Sequence, residues 1–219
     1  MARSFDRLAK PYRLLERLAF GHDLARARAA FLGELADAER VLILGEGDGR
    51  FLATFLQVNP HAQVDCVDES TEMLRLAKRR ISRLNIEPRV TFHHTDARSL
   101  SYPTQHYDLV VTLFFLDVFT ETQLEHLIPE LARSLAPGGV WYTADFRAPR
   151  EPLRRLHSLL WLRLLYGFFN WQTDMAARTL VDPTPYFRAC GLEPQKTHYR
   201  RLGMLYSQLL QKESAPTST

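Results

Sequence analysis

Between Val41 and Phe146 the chain alternates five times between a short apolar run and a helix-patterned stretch, and few folds accept that alternation. The runs are Val41–Leu44, Val64–Val67, Val90–Phe92, Leu109–Phe115 and Val140–Phe146. The fourth is apolar at every position except Thr112, as a central strand covered on both faces should be. The intervening stretches carry helical spacing. Met73, Leu74, Ala77 and Ile81 form one inner face behind a Ser70 or Thr71 cap, and the helix from about Glu121 to Leu135 stops at Pro137-Gly138-Gly139. Strands joined through helices run parallel, and right-handed crossovers leave few topologies. Toward the C-terminus, Glu193–Arg200 and Leu202–Gln211 read as strands joined too closely for a crossover helix, so that pair is antiparallel. The expected fold is α/β: a doubly wound Rossmann-like sheet, mostly parallel with an antiparallel C-terminal strand pair, and helices on both faces.

A chain of 219 residues builds one such domain with modest additions. We read residues 1–211 as that domain and 212–219 as a disordered polar tail. Residues 1–37 read as a helical lid. Phe5, Leu8, Tyr12, Leu15 and Leu18 recur at helical spacing, Gly21 breaks the pattern, and Leu24, Ala27, Phe31 and Leu35 resume it as a second helix. Residues 147–182 read as a helical insertion covering the substrate, followed by a short helix from Pro183 to Ala189. The charge balance, 28 basic against 25 acidic residues, is too even to imply a nucleic-acid surface. Cys66 and Cys190 show no metal spacing, so no metal site is expected, and they suit a reducing compartment. Met1–Lys10 has no apolar run and no stretch reaches 18 apolar residues, which points to a cytoplasmic protein.

The first strand ends in Gly45-Glu46-Gly47-Asp48-Gly49-Arg50. Glycines there let the backbone turn sharply, and the helix start beyond offers unpaired N–H groups. The spacing is not that of the dinucleotide fingerprint, which needs glycine where Arg50 stands. Glu46 and Asp48 would repel a pyrophosphate and suit a cationic ligand. Asp68 closes the second strand about twenty residues later, where a carboxylate can accept both ribose hydroxyls. Asp96, beside Ala97 after the third strand, can accept an adenine amino group. Taken singly, each of these features fits equally a packing turn or a helix cap.

Together they resemble the class I S-adenosylmethionine-dependent methyltransferases, over about Phe5 to Phe146. Val41–Gly49 is similar to the family's glycine-rich first motif. Val67-Asp68-Glu69-Ser70-Thr71-Glu72-Met73-Leu74 is similar to its ribose segment, with Met73 facing the adenine, and Asp96-Ala97 to its adenine-edge segment. Tyr107–Leu113 resembles the strand whose end lies beside the reacting methyl, and Leu135–Gly139 the turn before strand five. Phe5–Tyr12 resembles the lid of the quinone and small-molecule branches, in which the tyrosine approaches the cofactor. The resemblance implies S-adenosyl-L-methionine as cofactor, held by Tyr12, Gly45, Glu46, Gly47, Asp48, Gly49, Asp68, Glu69, Met73, Asp96, Ala97 and Leu113. The family has an acid two positions before the first glycine; here that position is Ile43. Glu46 or Asp48 would then meet the cofactor's ammonium group.

The implied activity is methyl transfer to a small, hydrophobic or lipid-like acceptor; a cofactor-binding protein with different or lost transfer chemistry is the alternative. In-line attack on an activated methyl needs positioning and desolvation more than a dedicated base. For a hydroxyl acceptor the candidate bases are Asp117, Asp145, His94 and His157, each also readable as structural. No Asn-Pro-Pro-Tyr follows strand four, which reads Leu113-Phe114-Phe115-Leu116, so a nucleic-acid substrate is not expected. From 147 to 171 arginines alternate with Leu153, Leu156, Leu160, Leu164 and Phe168. That stretch packs on the sheet or lies against an anionic membrane surface.

Overall fold

The computed structural model describes residues 21–84, 89–149, 151 and 180–212. Seven strands form one sheet: β1 (Arg40–Leu44), β2 (Gln63–Asp68), β3 (Val90–His94), β4 (Tyr107–Leu113), β5 (Leu135–Phe146), β6 (Leu192–Arg200) and β7 (Leu205–Lys212). Their order is β3-β2-β1-β4-β5-β7-β6. The first five are parallel, while β7 runs antiparallel between β5 and β6. The chain therefore winds one way from β1 to β3 and the other way from β4, and the reversal between β1 and β4 opens a crevice at their carboxyl ends.

The helices are α1 (Asp23–Arg28), α2 (Arg50–Val58), α3 (Thr71–Ile81), α4 (Glu121–Ser134) and α5 (Thr184–Ala189). Alternate strand residues feed opposite faces of the sheet. Val41, Ile43 and Val111 pack with Phe51, Leu52, Phe55 and Leu56 of α2. Leu42, Leu44 and Val110 pack with Leu124, Leu127, Ile128 and Leu131 of α4. Thr112, the one polar residue of the central run, accepts a hydrogen bond from Trp141 Nε1 at 2.8 Å, so its burial leaves no polar atom unpaired there. A Thr120–Gln123 capping box starts α4.

The structure departs from the sequence reading in several places, among them the last strand, which begins at Leu205 and not at Leu202 because Arg201–Gly203 forms a turn. The expected helix over Leu24–Leu35 ends at Arg28, and a separate 3-10 turn covers Leu32–Leu35. The Ala27 carbonyl, which a continuing helix would spend on Phe31, instead accepts from Tyr142 Oη at 2.8 Å and Ser207 Oγ at 2.9 Å. The fifth strand begins at Leu135, five residues early, because Leu135 pairs with Tyr107 before a register shift near Leu109. Lys212, assigned to the tail, is the last residue of β7, and its Nζ donates to the carbonyls of Ala132 and Leu135. The rest of the tail, the lid segment over residues 1–20 and most of the 147–182 insertion lie outside the described residues.

Candidate cofactor site

The turn after β1 is built on backbone that only glycine adopts freely: Gly45, Gly47 and Gly49 have φ of 65°, 70° and 80°. Two of the three are also sterically required. A Cβ on Gly45 would lie 2.3 Å from Phe115 Cδ2, and one on Gly49 would lie 2.7 Å from Ala77 Cα, where α2 and α3 touch. The Gly45 amide donates to the Val67 carbonyl at 2.9 Å, which ties the turn to β2.

Asp68 joins the loops. Its Oδ2 accepts from the Gly47 amide at 3.0 Å and its Oδ1 from the Ser70 amide at 2.9 Å. A carboxylate has about four lone-pair positions, so it can accept from several donors at once. The Thr95 amide donates to the Asp68 carbonyl at 3.2 Å, which brings the loop after β3 alongside. Glu69 feels the result: burial pushes its carboxyl up, and the negative charges of Asp96 and Asp68 push it further. The loops carrying Gly47, Asp68 and Asp96 thus sit together. Met73 is half-buried on the first turn of α3, whose Ser70 cap accepts from the Met73 amide.

Other expected cofactor residues are engaged within the protein. Asp96 caps the 3-10 turn at Ala97–Ser99, and Arg98 pairs with it and holds its carboxyl below the ordinary carboxylate range. Ala97 is buried, and its carbonyl accepts from Tyr102 Oη. Asp48 pairs with Arg50 and Arg80, and its side chain keeps only 13% of its surface. Glu46 accepts from the Leu52 amide at 2.9 Å, and burial pushes its carboxyl up to about 8. The Leu52 hydrogen bond and the nearby Arg28 oppose that shift. Ile43 is 1% exposed within the apolar packing against α2.

Past Leu113, itself buried at the end of β4, Phe114 takes a left-handed φ of 56°. That geometry turns its ring beside Phe146, with centroids 5.2 Å apart, and beneath Arg28, whose Cζ lies 4.9 Å from the centroid. The next ring, Phe115, meets Phe119 edge to face at 5.0 Å. Below them Asp145, 2% exposed, accepts from the amides of Leu116, Asp117 and Phe146 at 3.1, 3.2 and 2.8 Å. Asp145 therefore fastens the loop after β4 to the end of β5. Burial and the neighbouring Asp117 push its carboxyl well up, against the pull of the three amides. Tyr206, across from Asp145 on β7, is buried without hydrogen-bonding its hydroxyl; the Thr143 hydroxyl beside it lacks the geometry.

Of the candidate bases, Asp117 and Asp145 lie together at the ends of β4 and β5. His94 does not: its Nε2 contacts Thr71 Oγ1 and the Glu69 carbonyl at the end of β3, three strands from β4. His157 and Tyr12 lie outside the described residues. Sequence reasoning missed Arg28 and the two phenylalanine pairs. The Phe114-Phe115 pair after a buried strand was the one available signal, and nothing in the sequence linked Arg28 to it. A cavity of roughly 380 Å³, lined by Leu35, Asp108 and Leu209 among others, lies at the opposite, amino ends of β1 and β4.

Residues 41–139 match a family described as a methyltransferase domain. The chain is 34% identical to a ubiquinone/menaquinone biosynthesis C-methyltransferase of Syntrophotalea carbinolica, over 85% of this chain and 79% of that one. It is 30% identical to a phosphatidylethanolamine N-methyltransferase of Cereibacter sphaeroides, over 66% and 68% of the two chains. Other quinone C-methyltransferase relatives are matched over as little as 60% of their length. Among solved structures, an S-adenosylmethionine-dependent methyltransferase of Methanosarcina mazei has a TM-score of 0.60 at 22% identity, covering 82% of this chain and 94% of that one.

Proposed function

The chain belongs to the class I S-adenosylmethionine-dependent methyltransferases, and from that premise we propose that its acceptor is a small, hydrophobic, lipid-like molecule. Two phenylalanine pairs, Phe114–Phe146 and Phe115–Phe119, at the loop after β4 and the end of β5, carry this reading. They favour an apolar acceptor, as do relatives named for quinone and phospholipid methylation.

When bound, S-adenosylmethionine supplies an electrophilic methyl on a sulfonium. The chain's own residues then place and shield it. Asp68, which holds the Gly47 amide in register, would accept the ribose hydroxyls. Met73 and Ala97 would flank the adenine. Arg28, which lies over Phe114, would meet the carboxylate of the methionine moiety. With Ile43 buried and Asp48 already paired, Glu46 is the remaining expected acid for the ammonium group, and it would meet that cation by giving up the proton that burial favours in its absence. The phenylalanines exclude water from the line of attack, and Asp145 keeps that wall in place. A neutral amine acceptor needs no side-chain base, because the methylated ammonium can lose its proton to water, whereas a carbon acceptor must give up a ring or hydroxyl proton. If a proton must leave a hydroxyl, Asp117 is the nearer candidate because Asp145 is committed to three amides.

We also infer a cytoplasmic site of action, which the two free thiols of Cys66 and Cys190 support. Among the described residues no helix is long and apolar enough to cross a membrane. The test is adenosylhomocysteine formation with a naphthoquinol, with phosphatidylethanolamine in detergent, and with polar amines and phenols. Transfer to either apolar acceptor supports the proposal. Turnover confined to polar acceptors refutes it.

A further inference from the structure

The hairpin between β6 and β7 carries a surface that the cofactor site does not use. Tyr199 and Leu202 are 51% and 58% exposed, and both lie at its tip. Three successive residues there, Arg201, Leu202 and Gly203, have φ of 51°, 56° and 85°. Left-handed backbone is unfavourable for arginine and leucine, and strain of this kind gathers where a surface is put to use. Here it holds a leucine out in water. Arg200, whose Nε is buried, and Arg201 precede that leucine in sequence, and Arg147 stacks over the neighbouring Tyr199 ring at 4.7 Å.

The tip is fixed to the reactive end of the sheet. The Arg147 amide donates to the Met204 carbonyl at 2.8 Å, and Leu205 pairs with Phe146 at the carboxyl end of β5. With strands about 4.8 Å apart, β7 lies roughly 10 Å across the sheet from β4. Whatever the tip rests on therefore lies close to the acceptor crevice.

We propose that Arg147, Tyr199, Arg200, Arg201 and Leu202 dock the protein on an anionic phospholipid surface, with Leu202 entering the acyl boundary and the guanidiniums meeting lipid phosphates. One leucine and one aromatic ring are too little apolar area for the core of a protein interface. A leucine to insert, a tyrosine at headgroup depth and arginines that bind phosphate are what a bilayer surface accepts. This inference rests on the lipid-like acceptor reading, since docking would bring such an acceptor to the crevice.

The test is flotation of the full chain with vesicles of phosphatidylcholine alone and of phosphatidylcholine mixed with phosphatidylglycerol. Binding should require phosphatidylglycerol and weaken as salt rises. Each arginine near the surface is worth about fivefold in partitioning, so Arg200→Glu combined with Arg201→Glu should reduce it by more than about 20-fold. Leu202→Ser should reduce it by about fivefold. S-adenosylmethionine binding by calorimetry should be unchanged in both variants, which shows that they fold and separates loss of docking from failure of the cofactor reading. Wild-type protein indifferent to phosphatidylglycerol, or variants that float as well as wild type, would overturn the proposal. So would soluble glycerophosphoglycerol competing as well as vesicles do, or a dimer in solution abolished by the same substitutions.

Discussion

Asparagine at position 68 keeps the shape of the side chain and removes half of its accepting capacity. In the native turn Asp68 Oδ2 holds the Gly47 amide at 3.0 Å and Oδ1 holds the Ser70 amide at 2.9 Å, and a carboxylate in this place would accept the ribose hydroxyls as well. An amide has a single oxygen. Whichever way it turns, its NH2 faces one of the two backbone donors, so one amide and one ribose hydroxyl each lose an acceptor. A hydrogen bond to a charged group contributes about 1.5–3 kcal/mol, so Asp68→Asn should raise the dissociation constant for S-adenosylmethionine by roughly 10- to 150-fold. The lost backbone contact should lower folding stability by about 1–3 kcal/mol. Isothermal calorimetry on the variant, with a thermal melt to show that it is folded, gives both quantities. An unchanged dissociation constant in folded protein would mean that the ribose does not meet Asp68.

Gly49→Ala should destabilise the fold by about 2–4 kcal/mol in urea unfolding, because its Cβ would press on the Ala77 backbone at a φ of 80°; wild-type stability would disprove that contact. Burial raises the Glu46 carboxyl from 4.5 to about 8, so between those values the folded protein holds a proton that the unfolded chain releases. The associated stability is complete below pH 4.5 and lost as pH rises through 8, at up to about 1.4 kcal/mol per pH unit. Glu46→Gln should remove that decline, measured as unfolding free energy at acidic, neutral and alkaline pH; the same slope in the variant would place the titration elsewhere. Asp145→Ala should cost about 3–5 kcal/mol, since it strands two buried amides and one part-buried one, and should lower turnover more than cofactor affinity by loosening the wall after β4. A variant with wild-type stability would show that those amides find other acceptors.

The order of strands and helices was legible because it rests on local signals: apolar runs of strand length, caps such as Ser70, and stops such as Pro137-Gly138-Gly139. The glycine turn and Asp68 were legible because their roles depend on position at strand ends. What was missed depends on contacts across long stretches of chain. Nothing near Ala27 foretells that Tyr142 and Ser207 will claim its carbonyl and end α1. Nor does the sequence show that Asp108 accepts from the amides of Glu39 and Arg40, tying the start of β1 to β4. Asp48 and Asp96 were read as free acids because the arginines that occupy them were visible only as surface charge. Arg80 reaches Asp48 from 32 positions away, on another helix. Arg98 is a neighbour of Asp96, and a two-residue spacing of opposite charges is equally compatible with both side chains in water.

Bound adenosylhomocysteine, seen in a crystal structure, would report directly on whether three loops share one nucleoside. Both ribose hydroxyls should lie about 3 Å from the Asp68 carboxylate, with the adenine between Met73 and Ala97. A nucleoside seated elsewhere on the sheet, with Asp68 turned only toward Gly47 and Ser70, would contradict it.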